Sequence, residues 1–108
     1  MPKEKVFCTQ LKGKQRFLRL LGDSSGATGL RSGLVTLKPK ESIGEHRTEN
    51  KEEAIVILEG TATVHFGKNK KLKAAQNSFV FIPSETLHNV ENPGNKILRY
   101  VYITTQVI

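Results

Sequence analysis

Helical periodicity is weak throughout the chain, and the apolar residues fall into short segments that alternate with polar ones or run unbroken for a few positions. Between Thr61 and Phe66 the alternation is clean. Ala62, Val64 and Phe66 take one face, and Thr61, Thr63 and His65 take the other. Gly33 to Leu37, Ala54 to Leu58, Phe79 to Ile82 and Ile97 to Ile103 are rich in β-branched or aromatic residues and read as further strands. Gly60 supplies a bend or bulge between two of them, and Gly67 to Lys71 is a hairpin connection leading into Leu72 to Ala75. Pro83 closes one strand, and Asn92-Pro93-Gly94-Asn95 is a turn before the last. Phe17 to Leu21 fits a strand or a short helical turn, and Gly22 to Gly26 is a loop. About eight or more short strands at near-regular spacing predict an all-β fold, either a barrel or a double-sheet jelly roll.

With no linker, repeat or low-complexity tract, the 108 residues form one domain, 1–108. Hydrophobic residues make up 37% and aromatic residues 6%, so the core is small. The net charge of +7 raises polyanions as partners, but it is unevenly spread. Residues 1–40 carry nine basic and two acidic groups, residues 41–60 carry two basic and six acidic, and residues 61–74 carry four basic and none acidic. The basic clusters lack interleaved aromatic platforms and any groove-binding motif, so nucleic acid is not the expected partner. No apolar run fits a signal peptide or a membrane span, which predicts a cytoplasmic protein without membrane attachment. The single cysteine, Cys8, lies beside Val6 and Phe7 and reads as a buried structural thiol.

Three histidines can carry chemistry. His65 alternates with threonines opposite an apolar face and reads as a solvated or sheet-packed side chain. His46 and His88 sit at strand or loop boundaries after turn signals. Glu53 shares a strand face with Ile55 and Ile57, which turns a carboxylate inward, where an unpaired charge costs several kcal/mol. A partner is required: a metal cation, or a basic side chain such as Arg99.

The spacing of these residues resembles the cupin family, small β-barrels with two short motifs. The first motif reads glycine, five residues, His-x-His, three or four residues, glutamate, six residues, glycine. Here Lys40, His46-Arg47-Thr48, Glu53 and Gly60 stand at those places. The second reads glycine, five residues, Pro-x-Gly, two residues, histidine, three residues, asparagine. Here Asn77, Pro83-Ser84-Glu85, His88 and Asn92 correspond. The motif-bearing region covers about residues 33–103. Lys40, Asn77 and Glu85 replace glycines; asparagine tolerates positive φ, and lysine or glutamate suits an ordinary turn.

The resemblance implies a double-stranded β-helix, or jelly-roll, barrel. It also implies a divalent metal (Fe, Mn, Ni, Zn or Co) on His46, Glu53 and His88, with Thr48 in place of a second motif histidine. Two histidines and one carboxylate with open positions is a recognised arrangement for iron(II). In one reading the chain is a metalloenzyme for a small polar metabolite, with Glu53 as ligand or, released from the metal, as base. In the other it is a metal-free binding or sensing protein in which Thr48 and Asn92 contact the ligand. The acidic 41–60 segment would surround the site, with the basic excess on the outside of the barrel. A homodimer is expected, as in small members of the family, with the apolar run Val101 to Ile108 able to pair with a neighbour.

Overall fold

The structure is a computed structural model that describes residues 6–22 and 25–107. Nine strands are found among them: β1 (Phe17–Leu21), β2 (Arg31–Leu37), β3 (His46–Arg47), β4 (Lys51–Glu59), β5 (Ala62–Phe66), β6 (Lys70–Ala74), β7 (Phe79–Ile82), β8 (Leu87–Glu91) and β9 (Leu98–Gln106). They form a five-stranded sheet of order β1-β2-β9-β4-β7 and a four-stranded sheet of order β3-β8-β5-β6. Every strand pair is antiparallel. The two sheets face each other as a jelly roll and are not closed into one continuous ladder. No helix among the described residues is long and apolar enough to cross a membrane.

Alternation determines what lies between the sheets. Along β4, Glu53, Ile55 and Ile57 are buried while their neighbours are less so, and β5 buries Ala62 and Val64 opposite them. Leu37, Val90, Leu98 and Tyr100 complete a core whose members are almost wholly inaccessible. Phe17 to Leu21 is a strand, because it pairs with β2 across Phe17↔Val35 and Leu18↔Leu34. The segment 87–91 was not foreseen as a strand. Its Leu-His-Asn-Val-Glu pattern has few β-branched residues, and its place is set by ladders to β3 and β5 on both sides. Cys8 is exposed rather than buried, since the stretch that carries it joins no strand.

The positions where the family motifs carry glycine all have left-handed backbone. Gly60 has φ of 85°, and Lys40, Asn77 and Glu85 have 71°, 70° and 58°. The expectation of ordinary turns at Lys40 and Glu85 is therefore corrected: the turn geometry is kept although the residue type is not. Left-handed backbone costs a non-glycine residue roughly 1–2 kcal/mol. Each side chain offsets part of that. Lys40 Nζ donates to the Pro93 carbonyl at 2.7 Å, and Glu85 Oε2 accepts from the Asn50 amide at 2.8 Å. At Gly60 no such exchange is open, because a Cβ there would lie 2.5 Å from the Ile97 carbonyl oxygen.

Lys40 is exposed, so its hydrogen bond is weak and the strain dominates. Replacing Lys40 by Gly is expected to stabilise the fold by about 0.5–1 kcal/mol in urea denaturation. Glu85→Gly, which also frees a backbone amide, is expected to gain less or nothing in the same measurement.

Candidate metal centre

The two sheets each bring part of one cluster. His46 and His88 are direct cross-strand partners in the β3–β8 ladder, with ring centroids 4.1 Å apart and planes tilted by 60°. Glu53 reaches them from β4 in the opposite sheet, and Glu53 Oε1 lies 3.1 Å from His88 Nε2. One ligand atom from each of the three residues lies within 4.8 Å of the other two. Donor atoms on a metal at ordinary bond lengths of ~2.1 Å stand about 3–4 Å apart, so slight contraction would complete the site. His88 and Glu53 are buried, whereas His46 is exposed and leaves the cluster open on one side.

The histidines are held the same way. His46 Nδ1 lies 2.9 Å from the Gly44 carbonyl, and His88 Nδ1 lies 2.9 Å from the Thr86 carbonyl, in each case two residues back along the chain. A carbonyl oxygen only accepts, so each Nδ1 carries the proton and each Nε2 faces the cluster. This is the arrangement by which outer hydrogen bonds orient metal-binding imidazoles. It leaves the neutral His88 Nε2 and the Glu53 carboxylate as two acceptors in contact at a buried position. Such a contact needs a cation between them, either a proton or a metal ion.

The hydroxyl of Thr48, expected to meet a ligand, is committed to the scaffold. Oγ1 donates to the Pro83 carbonyl at 2.7 Å and accepts from the Thr86 amide at 3.1 Å. Thr48 thus fastens the start of β4 to the turn that carries His88, although it still borders the adjoining cavity. Asn92, also expected at a ligand, is absent from that cavity's lining. Its Nδ2 donates to the Leu37 and Lys96 carbonyls and its Oδ1 accepts from the Gly94 amide, which organises the turn before β9. Glu53 is not paired with Arg99, whose guanidinium instead lies 3.7 Å from Glu59. His65 meets Glu91 at 2.7 Å on a half-exposed sheet face, away from the cluster.

A cavity of about 480 Å³ opens onto His46 and Glu53. Tyr100 and Tyr102 border it, as do Arg19, Arg31, Arg47 and Lys51. The sequence reading missed all six. The tyrosines were recoverable from the period of two along β9, which puts residues 98, 100, 102 and 104 on one face. The cations were not, since they come from four different strands or their ends. Their presence corrects the expectation that the basic excess lies away from the site: β1 and β2 carry Arg19 and Arg31 to its mouth. Burial, reinforced by the charge of Glu53, pushes the Tyr100 phenol up well beyond neutrality. Burial also raises Tyr102, against the opposing charge of Arg19. Both remain O–H donors at neutral pH.

Comparison with known proteins agrees with this architecture. The family profile described as Cupin domain matches residues 33–104. The mannose-1-phosphate guanylyltransferase of Salmonella typhimurium is 33% identical over 69 residues, which make up 64% of this chain and 14% of that protein. The chain therefore spans about one-seventh of the length of the curated relatives it matches. A structure from Thermotoga maritima, described as a predicted oxalate decarboxylase, superposes with a TM-score of 0.77 at 25% identity, covering 84% of this chain and 79% of that one. A cupin with a double-stranded β-helix fold from Methanocaldococcus jannaschii gives 0.79 at 16% identity, covering 95% and 91%, which shows the fold alone.

The buried pair sets a pH dependence for the metal-free chain. Burial alone would lower the His88 pKa, but its hydrogen bond to Glu53, its bond to the Thr86 carbonyl and the Glu53 charge together raise it above 6.5. A raised folded-state pKa gives a stabilisation that is complete below the unfolded value of 6.5 and is lost as pH rises through the folded value. Chelator-treated protein is expected to lose stability across that upper window in denaturant titrations, and Glu53→Gln is expected to flatten the loss. A slope unchanged by Glu53→Gln would contradict the pairing.

Proposed function

We propose that this chain, which belongs to the cupin family, holds a divalent metal ion on His46, Glu53 and His88 and uses it to bind or transform a small polar metabolite. The observation that carries this reading is the acceptor-to-acceptor contact of His88 Nε2 and Glu53 Oε1 at 3.1 Å, with both Nδ1 atoms already fixed by carbonyls. Two imidazoles and a carboxylate suit iron(II), manganese, nickel, zinc or cobalt. When bound, the metal would supply Lewis acidity toward a carbonyl or hydroxyl oxygen of the metabolite.

The chain's own residues do the rest. Gly44 and Thr86 hold the two imidazoles in the tautomer that presents Nε2. Glu53 serves as ligand and, when released, as a base beside the cavity. Tyr100 and Tyr102 offer O–H groups toward a ligand seated in that cavity. The Salmonella relative is named for a sugar phosphate and the Thermotoga protein for oxalate, and for this chain we infer a substrate in the same range of small, oxygen-rich molecules. The second reading, a metal-free binding protein, rests on Thr48, which leaves three ligands where the family motif carries four. In that reading a proton on His88 occupies the place of the cation.

Elemental analysis after equilibration with each of the five metals separates the readings. About one equivalent of at least one metal is expected, and His88→Ala and Glu53→Ala should weaken it by more than the roughly 10–100-fold typical of outer hydrogen-bond losses. Failure to take up any of the five leaves the metal-free reading.

We further propose that two copies pair through the outer face of the five-stranded sheet. Phe79, Phe81 and Ile103 are 68%, 55% and 36% exposed, and the register aligns them with Val56, Ala54 and Val101 in one uncharged patch. In a chain of net charge +7, two copies approach with least repulsion through such a face. Light scattering is expected to give a dimer, and Phe79→Lys with Phe81→Lys a folded monomer. A monomeric parent chain would overturn the proposal.

A further inference from the structure

The cavity beside the metal residues is lined with cations. Arg19 comes from β1, Arg31 from β2, Arg47 from β3 and Lys51 from β4, so residues far apart in sequence converge on one mouth. Glu53 is the single carboxylate lining this cavity among the described residues, and it is turned toward His88. Arg47 donates to the Glu85 carbonyl, a neutral acceptor that anchors its guanidinium at the mouth. Arg19 rests over the Phe17 ring, 5.6 Å from its centroid, and Phe17 in turn stacks on Tyr102 at 6.1 Å. Like charges gathered around a concave, partly apolar site focus a positive potential into it.

Deeper in the cavity lies a second and independent feature. Tyr100 is only 2% exposed and borders the cavity, which puts a phenolic O–H donor within reach of a ligand seated there.

We propose that the cavity recognises a small organic oxyanion, a carboxylate or phosphate ester, with the anionic group among Arg19, Arg47 and Lys51 and an acceptor oxygen on the Tyr100 hydroxyl. This deepens the metabolite reading by giving the charge class of the ligand, while the residues it names differ from the metal ligands. A volume of about 480 Å³ suits a compact metabolite and excludes a polymer as the enclosed ligand. Guanidinium groups match both carboxylate and phosphate geometry, so the anion's source is a matter for the experiment.

The test is calorimetric titration of metal-loaded and chelator-treated protein with malonate, inorganic phosphate and sorbitol, at constant ionic strength set with chloride. Saturable binding of malonate or phosphate is expected, with whichever binds tighter identifying the carboxylate or phosphate class, and sorbitol is expected to give no saturable signal. Arg19→Gln and Lys51→Gln should each weaken the anion by about tenfold, the loss of one charge-assisted contact. Tyr100→Phe should weaken it as well. A control replacing Lys68, Lys70 and Lys71 by Gln, at the β5–β6 hairpin outside this cavity's lining, should leave it unchanged. Absence of anion binding in both forms, equal binding of sorbitol, or equal losses in the hairpin control would overturn the proposal. Metal content measured on the same samples keeps the two readings apart, since a chain that binds anion without metal fails only the metal reading.

Discussion

The contact between His88 and Glu53 joins the two sheets through a buried pair of polar side chains. Both offer lone pairs there, because the far nitrogen of His88 is fixed by the Thr86 carbonyl. The surrounding chain serves that constraint. The Thr48 side chain bridges the Pro83 carbonyl and the Thr86 amide, while its backbone accepts from the Glu85 amide and donates to the Thr86 carbonyl of the same turn. The left-handed residue Glu85 completes that turn, so the segment that aims His88 is braced by the strand that leads to Glu53. A single polar contact thereby ties the register of one sheet to the position of the other.

Charge is separated on two scales. At the level of the chain, an acidic segment sits within a basic protein. In the folded molecule the cations of four strands gather at the mouth, while the carboxylate that faces them is engaged with an imidazole behind. Distance along the chain and distance in space give opposite impressions here, because antiparallel pairing brings residue 31 beside residue 104 and residue 53 beside residue 82. A charge tally taken in windows of the sequence cannot register such convergence.

The all-β architecture was legible in the sequence because alternation is a local property: Glu53, Ile55 and Ile57 share a face whatever the tertiary context. His46, Glu53 and His88 could be named as a group only through motif spacing, and the structure does bring them together. What could not be read depended on partners. β8 owes its strand geometry to two neighbours, and Asn92 and Thr48 are engaged by carbonyls contributed from remote segments. The left-handed turns at Lys40 and Glu85 were obscured for the opposite reason: residue type is a weak guide when a fold imposes its backbone and tolerates the strain.

One further consequence follows from the place of β1 at the edge of the five-stranded sheet. Phe17 stacks on Tyr102 only because residue 33 beneath them lacks a side chain; a Cβ there would lie 2.7 Å from one ring and 2.8 Å from the other. One side of the cavity is thus built by a strand that precedes the motif-bearing region, bonded along one side only and carrying none of His46, Glu53 and His88. Phe17 and Arg19 line the cavity from a strand separate from those that carry His46, Glu53 and His88. A substitution in that edge strand can therefore reshape one side of the cavity mouth while leaving the His46, Glu53 and His88 ladder positions where they are.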